Sequence, residues 1–260
     1  MQGEPLQADL VRAAVLGGLW TSVDVVETTG STNADLLARG GPEGQVLVAE
    51  EQTAGRGRMG RTWVSQPSDA LTFSVLLRPA TVLSARGGWL PLLTGVAVAA
   101  AVRSAAGASA TLKWPNDVLV GDRKLAGILA EQSGGAVVVG IGLNVGAPSA
   151  ALPVSPGGLR ATSLLAEGAE VAREPLLAEI LRQLERRYVS FRADPAESGL
   201  PADYRALSST LGRSVRVELP GGHVLAGVAE DVDVDGRLLV RETETTSLTP
   251  ISAGDIIHLR

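Results

Sequence analysis

The sequence predicts an α+β fold in two parts: interleaved strands and helices over residues 1–210, then a small antiparallel β-barrel over residues 211–260. In the first part, strand-like apolar runs alternate with helix-length segments, the pattern of a β-sheet flanked by helices. After Gly212 the pattern changes. VRVELP, GGHVLAGVAEDV, GRLLVRE, TSLTPI and DIIHL are short alternating runs separated by Gly, Pro and Asp turns, as in a small barrel. A chain of 260 residues with 45% hydrophobic and 20% charged residues can bury a real core, so the protein is globular and not disordered.

Taken in order, Leu6–Leu16 has apolar residues at helical spacing and stops at Gly17-Gly18. That is too short for a winged-helix DNA-binding unit. Val23–Thr28 reads as a strand, and Ser31 or Thr32 can cap a helix over Asn33–Arg39 that Gly40 closes. Gln45–Glu51 is a second strand and Leu71–Leu77 a third, stopped by Pro79. Trp89–Ala106 is apolar on nearly all sides, which predicts a buried core helix. Leu112–Glu131 reads as a strand, a kinked connection at Pro115-Asn116-Asp117 and a hairpin turning at Gly121-Asp122. Ala136–Val145 is a further buried strand, Pro148–Pro156 a loop, and Thr162–Glu167, Pro175–Ala193 and Pro201–Leu211 are helical.

Composition removes several chemistries. There is no cysteine, so thiolate nucleophiles, thiolate metal sites and disulfides are excluded together. The two histidines, His223 and His258, supply a hydrolytic triad or a zinc site poorly. A net charge of −5 argues against a protein that coats nucleic acid. The first thirty residues lack a signal-peptide layout, and the apolar run Leu90–Val102 is shorter than the roughly 20 residues of a membrane span. We expect a cytoplasmic protein with no membrane partner.

The densest chemistry lies in EEQTAGRGRMGR, Glu50–Arg61, where Arg56, Arg58 and Arg61 alternate with Gly55, Gly57 and Gly60 after a strand. Glycine lets backbone amides approach a ligand, and arginine offers a planar fork of donors for carboxylate or phosphate. The stretch is either a loop that closes over an anion or a solvated basic loop. Ordering about eight such residues costs on the order of 8 kcal/mol in backbone entropy. Two or three charge-assisted bonds return only roughly 5 kcal/mol. A loop mobile when empty and closed over ligand is therefore expected.

Other positions carry two readings each. Ser31, Thr32 and Asn33 form a helix cap or present hydroxyl and amide groups to a polar ligand. Trp63 is a packing lid or covers a flat ring. Lys113 and Lys124 are solvated edge residues or point charges at a cavity mouth, and Gly127 inside a strand marks close approach by a ligand. Asn144 pairs with a ligand or caps a turn. With cysteine absent and histidine scarce, cations can still promote attack of a carboxylate on the α-phosphate of ATP, because that reaction needs charge compensation and no protein nucleophile.

Five ordered motifs, GSTN (Gly30–Asn33), EQTAGRGRMGR, KWPND (Lys113–Asp117), KLAGILAE (Lys124–Glu131) and GIGLN (Gly140–Asn144), resemble the biotin protein ligase family in its short form, over nearly the whole chain. The resemblance implies a class II synthetase-like mixed sheet flanked by helices, with an SH3-like barrel at the C-terminus. It further implies an ATP-dependent ligase that makes biotinyl-5′-AMP and passes biotin to one lysine of a biotin carboxyl carrier domain, with Mg2+ accompanying ATP and no tightly bound metal.

By motif, Ser31, Thr32, Asn33 and Gln52 would hold the ureido head of biotin. Arg56, Gly57 and Arg58 would form the closing loop, and Lys124 would contact the carboxylate and the α-phosphate, with Lys124 and Arg58 as the catalytic pair. Arg61, Trp63, Asn116, Gly127 and Asn144 would neighbour biotin or the adenylate. No repressor activity and no DNA partner are expected. A lipoate ligase shares the adenylation logic but lacks GRGR and KWPND, and octanoyl transferases need a cysteine. A nucleic-acid-binding regulator is the rival from another class.

Overall fold

The computed structural model describes residues 5–79, 86–152 and 159–259, in two sheets. The larger sheet is mixed. It contains β1 (Ser22–Thr29), β2 (Gln45–Gln52), β3 (Ala70–Leu77), β4 (Ala110–Lys113), β5 (Asp117–Val120), β6 (Arg123–Ser133), β7 (Ala136–Asn144) and the short β8 (Arg160–Ala161). The order is β1-β2-β3-β7-β6-β5-β4, with β8 pairing β6. Among the described residues, the strand pairs β1–β2 and β6–β8 are parallel and the others antiparallel, and α2 (Thr32–Arg39) makes the crossover between β1 and β2.

Period two inside the apolar strands decides the two faces. In β7, Val137, Val139, Ile141 and Leu143 enter the main core, while Val138, Gly140, Gly142 and Asn144 point the other way. In β3, Phe73 and Val75 enter that core and Thr72, Ser74 and Leu76 face α2. The small second core, Leu36, Leu47, Leu76, Ala136 and Val138, lies under α2. Small and polar side chains on this face leave room beside α2 that a Val or Ile would fill.

The main core is covered by α1 (Ala8–Val15), α3 (Trp89–Ala106), α4 (Arg173–Ala193) and α5 (Leu200–Leu207). By length and composition α3 could cross a membrane, but 67% of it is buried against the sheet and α4. Gly95 lets it approach closely: a β-carbon there would stand 3.2 Å from Leu112.

The C-terminal sheet holds β9 (Ser214–Glu218), β10 (Val224–Val232), β11 (Leu238–Glu242), β12 (Leu248–Ile251) and β13 (Asp255–His258), all antiparallel, in the order β12-β11-β10-β9-β13. Its strand pattern is consistent with an SH3-like fold. The expected barrel is not closed: no pairing joins β12 to β13 among the described residues.

Several expectations change. The stretch Thr162–Glu167 is not a helix but a link from β8 to one 3-10 turn at Leu165–Glu167, because Thr162 N–H is taken by Lys124 O at 2.8 Å. The last helix ends at Leu207, since Leu112 pairs with Ser208 and holds the chain extended there. Of the expected loop Pro148–Pro156, residues 149–151 form a 3-10 turn and 153–156 lie outside the described residues.

Candidate functional site

The polar face beside α2 opens into a cavity of about 550 Å3. Every residue given a site role by motif lines it: Ser31, Thr32, Asn33 and Gln52 at one end, and Arg56, Gly57, Arg58, Arg61, Trp63, Asn116, Lys124, Gly127 and Asn144 along the rest. The volume lies in the range of small-molecule sites.

The α2 end is a buried hydrogen-bond network. Ser31 caps the helix from 3.5 Å, a long bond that leaves its hydroxyl with capacity to spare. Gln52 Oε1 accepts from Thr32 N at 2.8 Å and lies 3.0 Å from the Thr32 hydroxyl, so the Gln52 amide NH2 is the group left to face a ligand. Asn33 donates to Leu129 O and Glu131 Oε2 and accepts from Ser74, which consumes both its N–H donors inside the protein. Asn33 therefore holds the floor of this end more than it offers donors to a guest.

The glycines of β6 and β7 that line the cavity also seat protein side chains. Gly127 and Gly142 are cross-strand partners, and the Trp63 indole lies over them. A β-carbon on Gly142 would stand 2.3 Å from the indole, and one on Gly127 would stand 3.2 Å from Lys124 Nζ. Gly140 makes room for Asn33 Oδ1 in the same way. Trp63 Nε1 is buried and bonds to no described residue, so the ring is held by packing alone.

The arginine loop already carries its own backbone bonds: Gly57 N donates to Arg61 O at 2.7 Å, Trp63 N to Gly55 O at 3.0 Å, and Arg56 bridges Thr62. Part of the ordering cost assigned to ligand is thus met within the loop itself. At its tip Met59 adopts φ 55°, a left-handed conformation that is unfavourable for an L residue.

The cations are already engaged. Lys124 Nζ lies 2.6 Å from Asp117 Oδ1, as an ion pair and not an aligned hydrogen bond. Arg61 pairs with Asp255 from the C-terminal sheet, and Arg56 stands 3.6 Å from Glu131. Arg58 instead donates to the neutral Asn116 Oδ1 at 3.2 Å, while Asn116 Nδ2 is anchored on Ile128 O. Burial lowers the Arg58 pKa, the charge of Asp117 opposes that, and Arg61 adds to it. Lys113, register partner of Asp117, is lowered by burial, supported by Asp117 and repelled by Lys124 and Arg61.

Among the described residues, five cations and four carboxylates (Asp69, Asp117, Glu218 and Asp255) thus line the cavity. A polyanion entering here takes over cations that carboxylates hold in its absence, which limits the electrostatic cost of keeping them clustered.

Sequence reasoning noticed Lys113 but did not place it in the site, and it missed Asp117 and Asp255. The alternation that puts Lys113 opposite Asp117 across a tight hairpin was available as a signal. Asp255 gave none, because only the packing of the two sheets brings it to Arg61.

Residues 23–147 match the biotin/lipoate A/B protein ligase family, and residues 210–259 match the biotin protein ligase C terminal domain. The chain is 46% identical over 252 residues to the biotin–[acetyl-CoA-carboxylase] ligase of Mycobacterium tuberculosis, covering 94% of this chain and 91% of that protein. Among solved structures it is similar to the biotin protein ligase from Aquifex aeolicus in complex with biotin and ATP, with a TM-score of 0.78 and 27% identity over 93% of this chain and 100% of that one. It is also similar to the biotin protein ligase from Leishmania major in complex with biotinyl-5-AMP, with a TM-score of 0.61 and 25% identity over 89% and 98% of the two chains.

Proposed function

Because the chain belongs to the biotin protein ligase family, we propose that this cavity joins biotin to ATP and then to a protein lysine. The protein is an ATP-dependent ligase. In the first step a biotin carboxylate oxygen attacks the α-phosphate, the bond to the β-phosphate breaks, and biotinyl-5′-AMP and pyrophosphate result. In the second, the ε-amine of a lysine on a biotin carboxyl carrier domain attacks the acyl carbon. AMP leaves, an amide forms and the amine loses a proton.

One observation carries the reading: a buried polar end and, among the described residues, a cluster of five cations share one cavity. The ureido group of biotin has two donors and a carbonyl, which suits Ser31, Thr32 and the Gln52 amide. A lipoyl dithiolane ring has nothing to offer the Gln52 amide NH2 and would leave it unpaired, at about 1–3 kcal/mol. That favours biotin over lipoate. Trp63 walls the slot between the ring site and the phosphates, and Lys124 stands where the two anions must meet. Arg58, with Arg56 and Gly57 in the closing loop, compensates the charge that moves to pyrophosphate. Asn116, Arg61 and Asn144 support the adenylate half.

Magnesium would arrive with the triphosphate. No group of three or more His, Asp or Glu side chains converges among the described residues, but Mg2+ asks for only one or two carboxylates besides phosphate oxygens and water. Asp117 and Asp255 fit that need once phosphate has drawn Lys124 and Arg61 away, and the ion would shield the outer phosphates.

The chemistry is assigned to residues 1–210, and residues 211–260 close the cavity wall through Glu218 and Asp255. The test is transfer of labelled biotin to a purified carrier domain. Label should appear on one lysine with ATP consumed to AMP, and a carrier whose target lysine is replaced by arginine should stay unlabelled. Label on neither carrier would refute the reading.

A further inference from the structure

Thr210, at the junction between the two sheets, is fully buried, and the two-step reaction does not use it. Its hydroxyl accepts from Trp114 N at 3.1 Å and lies 3.1 Å from His258 Nε2 on β13. A backbone N–H can only donate, so the hydroxyl proton is free to go to His258, which then accepts as a neutral ring. Burial, together with Lys113 and Arg213, disfavours charge on that ring, and Asp122 opposes them.

The other end of Trp114 is held too. Its indole donates to Gly236 O at 3.2 Å in the turn between β10 and β11. That turn is wedged against the start of α3: Trp89 Nε1 donates to Val234 O, and a β-carbon on Gly236 would stand 2.6 Å from the Gly88 carbonyl carbon. Ser209 N donates to Leu112 O at 2.8 Å, so the junction also grips β4.

Just beyond Trp114 the chain controls two cations. Asn116 holds Arg58, and Asp117 faces Lys124. We propose that Thr210, clasped between His258 and the Trp114 backbone, is a positioning residue for adenylate formation: through it the C-terminal sheet sets the 113–117 segment and hence where Arg58 and Lys124 stand. The proposal rests on the ligase reading above. It gives the C-terminal sheet a task in the first half-reaction separate from closing the cavity wall.

The test compares Thr210→Val, which keeps shape and removes the hydroxyl, with Thr210→Ser, which keeps it. Biotin-dependent ATP–pyrophosphate exchange is measured over a range of ATP, and biotin binding is measured by calorimetry. In Thr210→Val, stranding a buried N–H should lower kcat/KM for ATP roughly tenfold while biotin affinity stays within about twofold, because the α2 network is built by other elements. Thr210→Ser should return to within about threefold of the parent.

Parent-like exchange in Thr210→Val would overturn the proposal, as would an equal loss of biotin affinity, which would mean general damage. Should Thr210→Val not fold, His258→Leu on the half-buried edge strand takes its place, with the same direction expected and parent-like exchange again contrary. If the parent itself shows no biotin-dependent exchange, the ligase reading fails first and the positioning role falls with it.

Discussion

Lys124 and Asp117 allow a structural role to be separated from a chemical one. Their charged atoms lie 2.6 Å apart with side chains 21% and 18% exposed. Lys124→Ala leaves a largely buried carboxylate facing Lys113 and Arg58 alone, at a cost of about 2 kcal/mol, discounted from the figure for a fully buried pair because water still reaches both groups. Neutralising both partners in Lys124→Ala/Asp117→Asn removes the stranded charge and should return most of that stability.

Exchange activity should behave otherwise. If Lys124 has the role proposed for it between carboxylate and α-phosphate, its loss should cost about 3 kcal/mol of transition-state stabilisation, a fall of roughly 100-fold or more, and the double variant should not recover it. Thermal midpoints and ATP–pyrophosphate exchange on the four proteins of the cycle measure both. The reasoning is refuted if Lys124→Ala turns over within about threefold of the parent, or if the double variant regains exchange together with stability.

Three further outcomes rest on the geometry. Gly142→Ala should drive the Trp63 indole off its seat, lowering stability by roughly 1–3 kcal/mol, weakening biotin binding and changing tryptophan fluorescence, whereas Gly146→Ala, whose β-carbon would meet Asp69 at an ordinary 3.5 Å, should do little. His258 has its pKa lowered from 6.5 to about 4 by burial and then by Lys113 and Arg213, so the fold favours the neutral ring. Its contribution is whole above pH 6.5 and is lost as pH falls towards 4, by about 2 kcal/mol after allowing for solvent on a half-buried ring. Denaturant titrations of His258→Gln should be flatter across that window. Arg58→Gln should release biotinyl-5′-AMP faster in a single turnover while biotin affinity changes little; unchanged release would remove Arg58 from the closing loop's work.

How far the sequence could be read depended on whether a feature is local. Strands, the core helix α3 and the five C-terminal strands are legible from periodicity. So is the cavity's position, because polar and small residues at alternate places in β3 and β7 must share one face. What escaped is non-local. Thr162–Glu167 has helical composition, but its backbone is claimed by Lys124 and Asn144 from other strands. The last five strands alternate as a barrel would, yet nothing in alternation requires the outer strands to meet. That Trp63, Lys124 and Asn33 pack against Gly127, Gly140 and Gly142 has no signal in the sequence either. The pairing of Arg61 with Asp255 depends on two sheets docking, for which no short-range pattern exists.

The claim on which the rest depends is that this cavity brings biotin, and not another acyl acid, to the α-phosphate of ATP. Isotope exchange between labelled pyrophosphate and ATP, with biotin or lipoate as the only added acid, measures that step before any carrier protein is involved. The account predicts label in ATP when biotin is present and none above background with lipoate. Equal exchange with lipoate, or silence with biotin, would contradict it.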